Sequence, residues 1–195
     1  MKLTKKQITA LERITSYERE ANERNNRDGG AGLHPSEDKF IVTDGITVVV
    51  FDEQSDQLEL ASRIDFYSKY IRELVENADG IRANQFPTVA DCKQAIKKWK
   101  QMTNLGKPTI PKVEVRGTLM ERGYIERPIS AWFDARHMLN ALEAMGSNTA
   151  VFIEKDAHHK LPYPYVTIYR EEGRAPFKSV VWNGLKAIVL PCRPD

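Results

Sequence analysis

Cysteine is scarce in this sequence, since only Cys92 and Cys192 occur in 195 residues. Two cysteines so far apart in the chain provide neither a disulfide framework nor a Cys-x-x-Cys motif for a metal ion or a redox reaction. Long apolar runs are also missing: no stretch approaches the roughly 18 apolar residues that span a bilayer, and the N-terminus lacks the apolar segment of a signal peptide. These absences predict a cytoplasmic protein without a membrane segment.

An excess of charge of one sign is lacking as well. Lys and Arg number 29 and Asp and Glu number 27, which leaves a formal net charge of +2. The whole-chain charge therefore does not indicate a nucleic-acid, membrane or acidic partner. The composition, 41% hydrophobic and 29% charged, is typical of an ordinary globular protein. The length fits one domain or two small ones.

Motifs for catalysis are missing too. The sequence contains no Gly-x-Gly-x-x-Gly motif and no P-loop, so it lacks a recognisable phosphate cradle for a nucleotide-binding enzyme. His158 and His159 are adjacent, and adjacent side chains on a strand point to opposite faces, which argues against a shared metal ion. His34 and His137 accompany no Ser or Cys nucleophile motif, and His137 is expected on the exposed side of a helix. We therefore expect no catalytic residue, no metal and no cofactor.

The first fifty residues predict a helix followed by a hairpin. Thr4 and Gln7 form a T-x-x-Q capping box, and apolar residues follow at helical spacing. A loop is expected over 25–32, which is rich in Asn and Gly. Asp44 and Gly45 predict a tight hairpin turn, because both tolerate a positive φ. The strands predicted in this part are Met1–Leu3, Lys39–Thr43 and Ile46–Phe51.

The pattern changes to helices after residue 51 and returns to strands after residue 111. The helix near Val89–Met102 has an apolar stripe that includes Cys92, Trp99 and Met102, with lysines beside it. Asp134 and Gly146 are expected to cap the two ends of another helix. The other predicted elements are a helix near Leu58–Ala78, a helix at Asp134–Met145, a strand at Lys112–Met120 interrupted by Gly117, and strands at Ile129–Phe133, Thr149–Glu154, Tyr165–Arg170 and Leu185–Leu190.

These elements predict a single α+β domain over residues 1–195. Its two halves would each consist of a helix backed by antiparallel strands. The first half comprises 1–51 plus 112–127, and the second comprises 128–195. Residues 52–111 are interpreted as a helical insertion in the first half.

Three segments resemble the bacterial DNA polymerase III beta subunit, or sliding clamp. Phe40–Gly45 is similar to the strand and turn of clamp domains that end in Thr-Asp-Gly. Phe133–Leu142, with Gly146 and Val151–Glu154, resembles the clamp's strand, its helix and the next strand. Ala187–Arg193 resembles the family's C-terminal strand, which ends in an apolar residue, Pro, an apolar residue and Arg. The resemblance covers roughly residues 1–51 and 128–195, and the order of the segments is more specific than any one of them.

The resemblance implies a clamp-like domain with two helices on one face and sheets outside. The bacterial clamp has three such domains per chain and closes as a dimer around duplex DNA, whereas this chain has the length of one. A ring would therefore require a homo-oligomer of several copies whose contacts close.

A clamp holds DNA through basic side chains that contact phosphates without reading the sequence. The alternative is that the same helix faces are merely solvated, because acids such as Glu12 and Glu143 are expected beside the cations. Trp99 lies among lysines and could stack on a base, but its position on the apolar stripe favours the core. The candidate DNA-binding residues are Lys5, Lys6, Arg13, Arg19, Arg24, Lys93, Lys97, Lys100 and Arg136.

Clamps also bind partner peptides in a groove made by the Thr-Asp-Gly turn and the last strand. Ile46 and Thr47 stand where clamps usually have polar or basic residues, and in clamps the two parts come from neighbouring domains. The alternative is that these positions are only a hairpin turn and a strand end. The residues that match the groove are Thr43, Gly45, Ile46, Val48, Ile188, Leu190, Pro191 and Arg193.

The sequence thus predicts a non-catalytic clamp-like protein, a DNA replication or processivity factor. Its expected partners are duplex DNA, a polymerase or other replication proteins, and further copies of itself. The alternative is a protein-interaction module that has the clamp fold but does not encircle DNA.

Overall fold

The computed structural model describes residues 3–14, 30–34, 39–51, 80–102, 108–121, 125–146, 149–154, 164–170 and 185–192. Within these ranges the helices are α1 (5–14), α2 (Val89–Gln101) and α3 (Ala135–Met145). The strands are β1 (Gly30–His34), β2 (Lys39–Thr43), β3 (Thr47–Phe51), β4 (Ile81–Gln85), β5 (Lys112–Glu121), β6 (Ile125–Asp134), β7 (Thr149–Glu154), β8 (Tyr165–Arg170) and β9 (Leu185–Val189).

These strands form one antiparallel sheet in the order β1-β2-β3-β9-β8-β7-β4-β5-β6. Two three-stranded meanders, β1-β2-β3 and β7-β8-β9, meet where β3 pairs with β9, from Thr47 opposite Val189 to Phe51 opposite Leu185. Each meander follows one helix along the chain, α1 or α3. The predicted α+β class, with helices accompanying an antiparallel sheet, is confirmed.

The capping residues predicted for α1 and α3 are confirmed by individual hydrogen bonds. The backbone N–H of Gln7 donates to Thr4 Oγ1 over 3.3 Å, and the Thr4 N–H donates to Gln7 Oε1 over 3.0 Å, as a capping box requires. Asp134 Oδ1 accepts from the N–H of Arg136 over 2.9 Å at the start of α3. Gly146 ends that helix with a φ of 84°, a value that favours glycine.

The glycine-rich run contains a strand that the sequence interpretation missed. Residues 30–32 were expected in a loop, but they belong to β1, which pairs with β2 from Gly30 opposite Thr43 to His34 opposite Lys39. A strand at the edge of a sheet is held by main-chain hydrogen bonds, which need no apolar side-chain pattern. The prediction of a loop over the whole of 25–32 is therefore wrong at its C-terminal end.

The segment 52–111, interpreted as a helical insertion, also contains a strand. β4 lies within it and pairs with both β5 and β7, while α2 confirms the predicted second helix almost to the residue. β5 was grouped with the first half, but it lies between β4 and β6 beside the second half. The predicted helix near Leu58–Ala78 lies outside the described residues, as do the first two residues of the predicted strand Met1–Leu3, and Leu3 itself is not in a strand.

The centre of the sheet is buried on both of its faces. All five residues of β3 are buried, which explains why its sequence is a continuous β-branched run instead of an apolar–polar alternation. Nine of the eleven residues of α3 are buried, but in α2 only Cys92 is. α3 is therefore a core helix, whereas α2 is a peripheral one that packs on it.

Gly117 does not interrupt β5, since the pairing with β6 continues through it opposite Ile129. A Cβ at this position would lie 3.0 Å from Cδ1 of buried Ile153 on β7. We expect Gly117→Ala to lower the free energy of unfolding by about 1 kcal/mol more in the wild-type chain than in the Ile153→Val variant, because valine lacks the Cδ1 atom. Urea denaturation of the two single variants and the double variant measures this coupling, and strictly additive effects would contradict the close approach.

Candidate nucleic-acid and peptide-binding surfaces

The predicted DNA-binding cations lie on all three described helices. Lys5, Lys6 and Arg13 are on α1, and Arg136 is in the first turn of α3. Lys93, Lys97 and Lys100 are on α2, while Arg19 and Arg24 lie outside the described residues. Of the described candidates, Arg13 and Arg136 are half-buried and the others are exposed.

Three of these cations converge on the carboxylate of Glu143 in α3. Lys6 Nζ lies 3.7 Å and Lys93 Nζ 2.9 Å from Glu143 Oε1, and a guanidinium nitrogen of Arg13 donates to Oε2. The Glu143 side chain is only 4% exposed, whereas those of Lys6, Arg13 and Lys93 are 62%, 41% and 56% exposed. One buried anion therefore holds together cations from α1 and α2.

The surroundings of Glu143 keep its carboxylate ionised. Burial by itself would raise the pKa, but the hydrogen bonds and the positive charges of Lys93 and Arg13 together outweigh it, so the pKa of Glu143 lies below its ordinary value. Glu143 was expected on an exposed face of mixed sign, and His137 was expected to be exposed beside it. Both expectations are wrong, because Glu143 and His137 as whole residues are only 5% and 3% exposed. α2 packs on α3, and a single sequence does not reveal that long-range contact.

Arg136 is also engaged within the protein. Its Nε lies 3.0 Å and 3.1 Å from the two carboxylate oxygens of Asp134, and its guanidinium carbon lies 5.7 Å from the centre of the Trp99 ring. Trp99 is half-buried, and its indole N–H donates to the carbonyl of Pro108 over 2.7 Å. Trp99 thus serves packing, as the favoured alternative predicted, whereas Met102 is 45% exposed and does not belong to the apolar stripe.

One flank of α2 is a continuous basic surface. Lys93, Lys97 and Lys100 are spaced four and three residues apart, so they lie on the same side of the helix, and all three are exposed. The acidic residue of this helix, Asp91, closes a capping box with Thr88, and hydrogen bonds from Thr88 lower its pKa. The cations of α2 and α1 approach each other at Glu143, so the basic flank of α2, with Lys6 and Arg13, forms one surface that we call the α1–α2 cationic face.

The two predicted parts of the peptide groove are adjacent within this single chain. The N–H of Leu190 donates to the carbonyl of Ile46 over 2.9 Å, directly beyond the β3–β9 pairs. Gly45, Ile46, Leu190 and Pro191 are half-buried, whereas Thr43, Val48 and Ile188 are 7%, 1% and 0% exposed. Thr43, Val48 and Ile188 are therefore parts of the sheet interior and not of an open groove. Arg193 lies outside the described residues.

The Thr-Asp-Gly turn is attached to α3 by a buried contact that the sequence interpretation missed. Asp44 Oδ1 accepts from the N–H groups of Ile46 and Thr47 over 2.9 Å and 2.6 Å. Asp44 Oδ2 lies 3.0 Å from His137 Nδ1, which also lies 3.2 Å from Thr47 Oγ1. The Asp-Gly pair predicted the turn, but no sequence signal assigns His137 as its partner 93 residues away.

In the part of the chain that the structure describes, no group of three or more His, Cys, Asp or Glu side chains could hold a metal ion. None of its helices is both long and apolar enough to cross a membrane. His158 and His159 lie outside the described residues.

Comparison with known proteins identifies the fold. No family model and no curated protein matches the sequence. Among solved structures, the chain is similar to a DnaN sliding clamp (DNA polymerase III subunit beta) from Bartonella birtlesii bound to griselimycin, with a TM-score of 0.53, 12% identity, and coverage of 97% of this chain and 63% of that chain. It is similar to the DNA polymerase III beta subunit from Thermotoga maritima, with a TM-score of 0.50, 11% identity and the same coverages, 97% and 63%. The predicted sliding-clamp-like fold is thereby confirmed, and the chain spans 63% of the length of these clamps.

Proposed function

We propose that this protein is a non-catalytic, sliding-clamp-like factor of DNA replication that binds duplex DNA through the α1–α2 cationic face. The observation that carries the proposal is the exposed basic flank of α2 beside the cations of α1. The similarity of the fold to sliding clamps supports the same interpretation. Arg136 is not part of this surface, because Asp134 and Trp99 already engage its guanidinium.

The chemistry of this surface suits phosphate and not base recognition. Flexible lysines bring charge but carry no fixed pattern of donors and acceptors that reads bases. The aromatic side chain closest to the lysines along α2, Trp99, is occupied by packing. We therefore expect binding without sequence preference, and we expect it to weaken with salt as counterions are released from DNA.

Encirclement of DNA would require more than one copy of this chain. The chain spans 63% of the length of the clamps to which it is similar, so a ring requires self-association with closing symmetry. A polymerase or other replication proteins are the proposed protein partners of such an assembly.

The test of this function combines a DNA titration with a measurement of the molecular mass in solution. We expect a fluorescent 20-base-pair duplex to bind with a slope of log K against log salt of about −3 to −5, since each neutralised phosphate contributes about 0.9. Light scattering should detect an assembly larger than one chain in the presence of DNA. An undetectable affinity at 20 mM salt would refute the proposed function.

The second candidate is a protein-interaction module that uses the turn and the end of β9. The contact between Ile46 and Leu190 favours it, because Gly45, Ile46, Leu190 and Pro191 form one partly accessible patch within a single chain. A monomer or dimer without DNA affinity, together with perturbation of amide signals at this patch by a partner peptide, would favour this candidate over the first.

A further inference from the structure

Strand β6 is one of the two edges of the described sheet. It has ten residues and pairs with β5 on one side, whereas no described strand pairs with its other side. Glu126, Arg127, Pro128 and Ser130 on this strand are exposed. Because β1, the opposite edge, has only five residues, β6 offers the longer template on which another strand could pair.

Two hydrogen bonds show which main-chain groups of β6 point away from β5. The N–H of Ala135 donates to the carbonyl of Pro111 over 2.8 Å, which extends the β5–β6 ladder by one pair. Main-chain groups alternate in direction along a strand, so those of residues 129, 131 and 133 point towards β5 and those of residues 128, 130 and 132 point away. The carbonyl of Trp132 agrees with this alternation, since it accepts from the N–H of Cys192 over 2.8 Å. The outer edge of β6 therefore consists of the main-chain groups of Pro128, Ser130 and Trp132.

Two of these three positions are closed to a further strand. Pro128 has no N–H, so it cannot donate to a neighbouring strand. The carbonyl of Trp132 already accepts from Cys192. The segment that carries Cys192 is also fixed at Leu190, whose N–H donates to the carbonyl of Ile46 over 2.9 Å. Of these three residues of β6, only Ser130 keeps both of its outward groups open.

We propose that Pro128 and Cys192 form a guard that blocks self-association of this protein through β6. The partner that the guard excludes is β6 of a second copy in an antiparallel arrangement. When Ser130 lies opposite Ser130 of the second copy, Pro128 of each copy lies opposite Trp132 of the other, because both are two residues from Ser130. The hydrogen bond missing at this pair would run from position 128 to the Trp132 carbonyl. Its donor is absent and its acceptor is occupied, so the guard removes both halves of the same bond.

The first experiment measures the mass of full-chain variants by light scattering. Pro128→Val restores the donor, and Cys192→Pro removes the N–H that occupies the acceptor. Because either change alone leaves the bond incomplete, we expect only the double variant to gain mass, by about twofold or more. Cys192→Ala keeps the N–H and is the matched control, so it should not gain mass when combined with Pro128→Val. A double variant with the mass of the wild type would overturn the guard.

The change Ser130→Pro identifies the edge through which the copies associate. It removes the central outward N–H of β6 without removing a bond to β5. Added to the double variant, it should return the mass to the wild-type value, and a mass that stays raised would overturn association through β6. In the wild-type chain it should leave the mass unchanged. Dissociation of a wild-type assembly by Ser130→Pro would show that β6 is already an interface, which contradicts the guard.

Hydrogen exchange of the wild type tests whether the edge is open. The N–H of Ser130 points away from β5, whereas that of Ala131 is bonded to it, so we expect Ser130 to exchange about 100 times faster or more. In the associating double variant, the exchange of Ser130 should slow towards that of Ala131. Equal protection of the two amides in the wild type would show that the edge is already covered and would overturn the inference.

The guard also limits how a ring of copies can form. A head-to-tail ring that continued the sheet from copy to copy would have to join β1 of one copy to β6 of the next. The guard excludes this contact, so an assembly of the proposed function would have to use other surfaces. The two proposals fail separately: a chain that binds no duplex refutes the proposed function, whereas the masses of the β6 variants are measured without DNA.

Discussion

Replacement of Asp44 by alanine is expected to lower the free energy of unfolding by about 3 kcal/mol, because it breaks a buried, hydrogen-bonded pair. The Asp44 side chain is fully buried and that of His137 is 4% exposed. The change removes the acceptor for the N–H groups of Ile46 and Thr47 and leaves His137 without its carboxylate. Urea denaturation monitored by circular dichroism measures the effect as a shift of the midpoint.

A matched control is Asp91→Ala. Asp91 also accepts hydrogen bonds within one turn, from the N–H and the hydroxyl of Thr88 at 2.8 Å and 2.7 Å, but it is exposed. Because water can replace these hydrogen bonds, Asp91→Ala should lower the free energy of unfolding much less than Asp44→Ala does. Equal losses in the two variants would show that the burial of Asp44 contributes nothing to stability.

Replacement of Glu143 by glutamine is expected to lower the free energy of unfolding by about 2 kcal/mol at pH 7. Breaking a fully buried ion pair typically costs about 3–5 kcal/mol, but the partners of Glu143 are half exposed and regain water, which reduces the cost. The affected contacts join α3 to both α1 and α2, since Lys6 and Arg13 supply cations from α1 and Lys93 supplies one from α2. Glu114→Gln is the control, because Glu114 pairs with the exposed Arg116 on its own strand and should have little effect.

The difference between wild type and Glu143→Gln should depend on pH. The folded-state pKa of Glu143 lies below its ordinary value of 4.5, so the stabilisation is complete above that pH and is lost as the pH falls through the folded-state pKa. Denaturation curves at pH 7, 5, 4 and 3 should therefore show two stabilities that converge below about pH 4.5. A difference that stays constant down to pH 3 would contradict a stabilising charge at this position.

The sequence predicted elements well where the signals are local. α3 was expected at Asp134–Met145 and occupies Ala135–Met145, because a capping aspartate and a positive-φ glycine mark its ends. β7 and β8 were predicted with their observed bounds. In each case the information lies within a few residues of the element.

The remaining features depend on contacts between distant segments. β1 has no side-chain pattern of its own and is held by β2, and β4 is held by β5 and β7. For the candidate site, the lysine spacing of α2 was visible in the sequence, but the burial of Glu143 was not. Its partners come from positions 137, 130 and 50 residues away, and only folding brings them together.

The position of β9 has a consequence for the synthesis of this protein. Among the strands that the structure describes, β9 is the last along the chain but the fourth across the sheet, between β3 and β8. Until the ribosome has released residues 185–189, β3 and β8 both present unpaired edges, and every residue of β3 is one that the folded protein buries. The meander β1-β2-β3 and the pair β7-β8 are joined only when β9 forms between β3 and β8, and β9 is translated more than 130 residues after β3. We expect this interval to be the time when the nascent chain depends most on chaperones that shield strand edges.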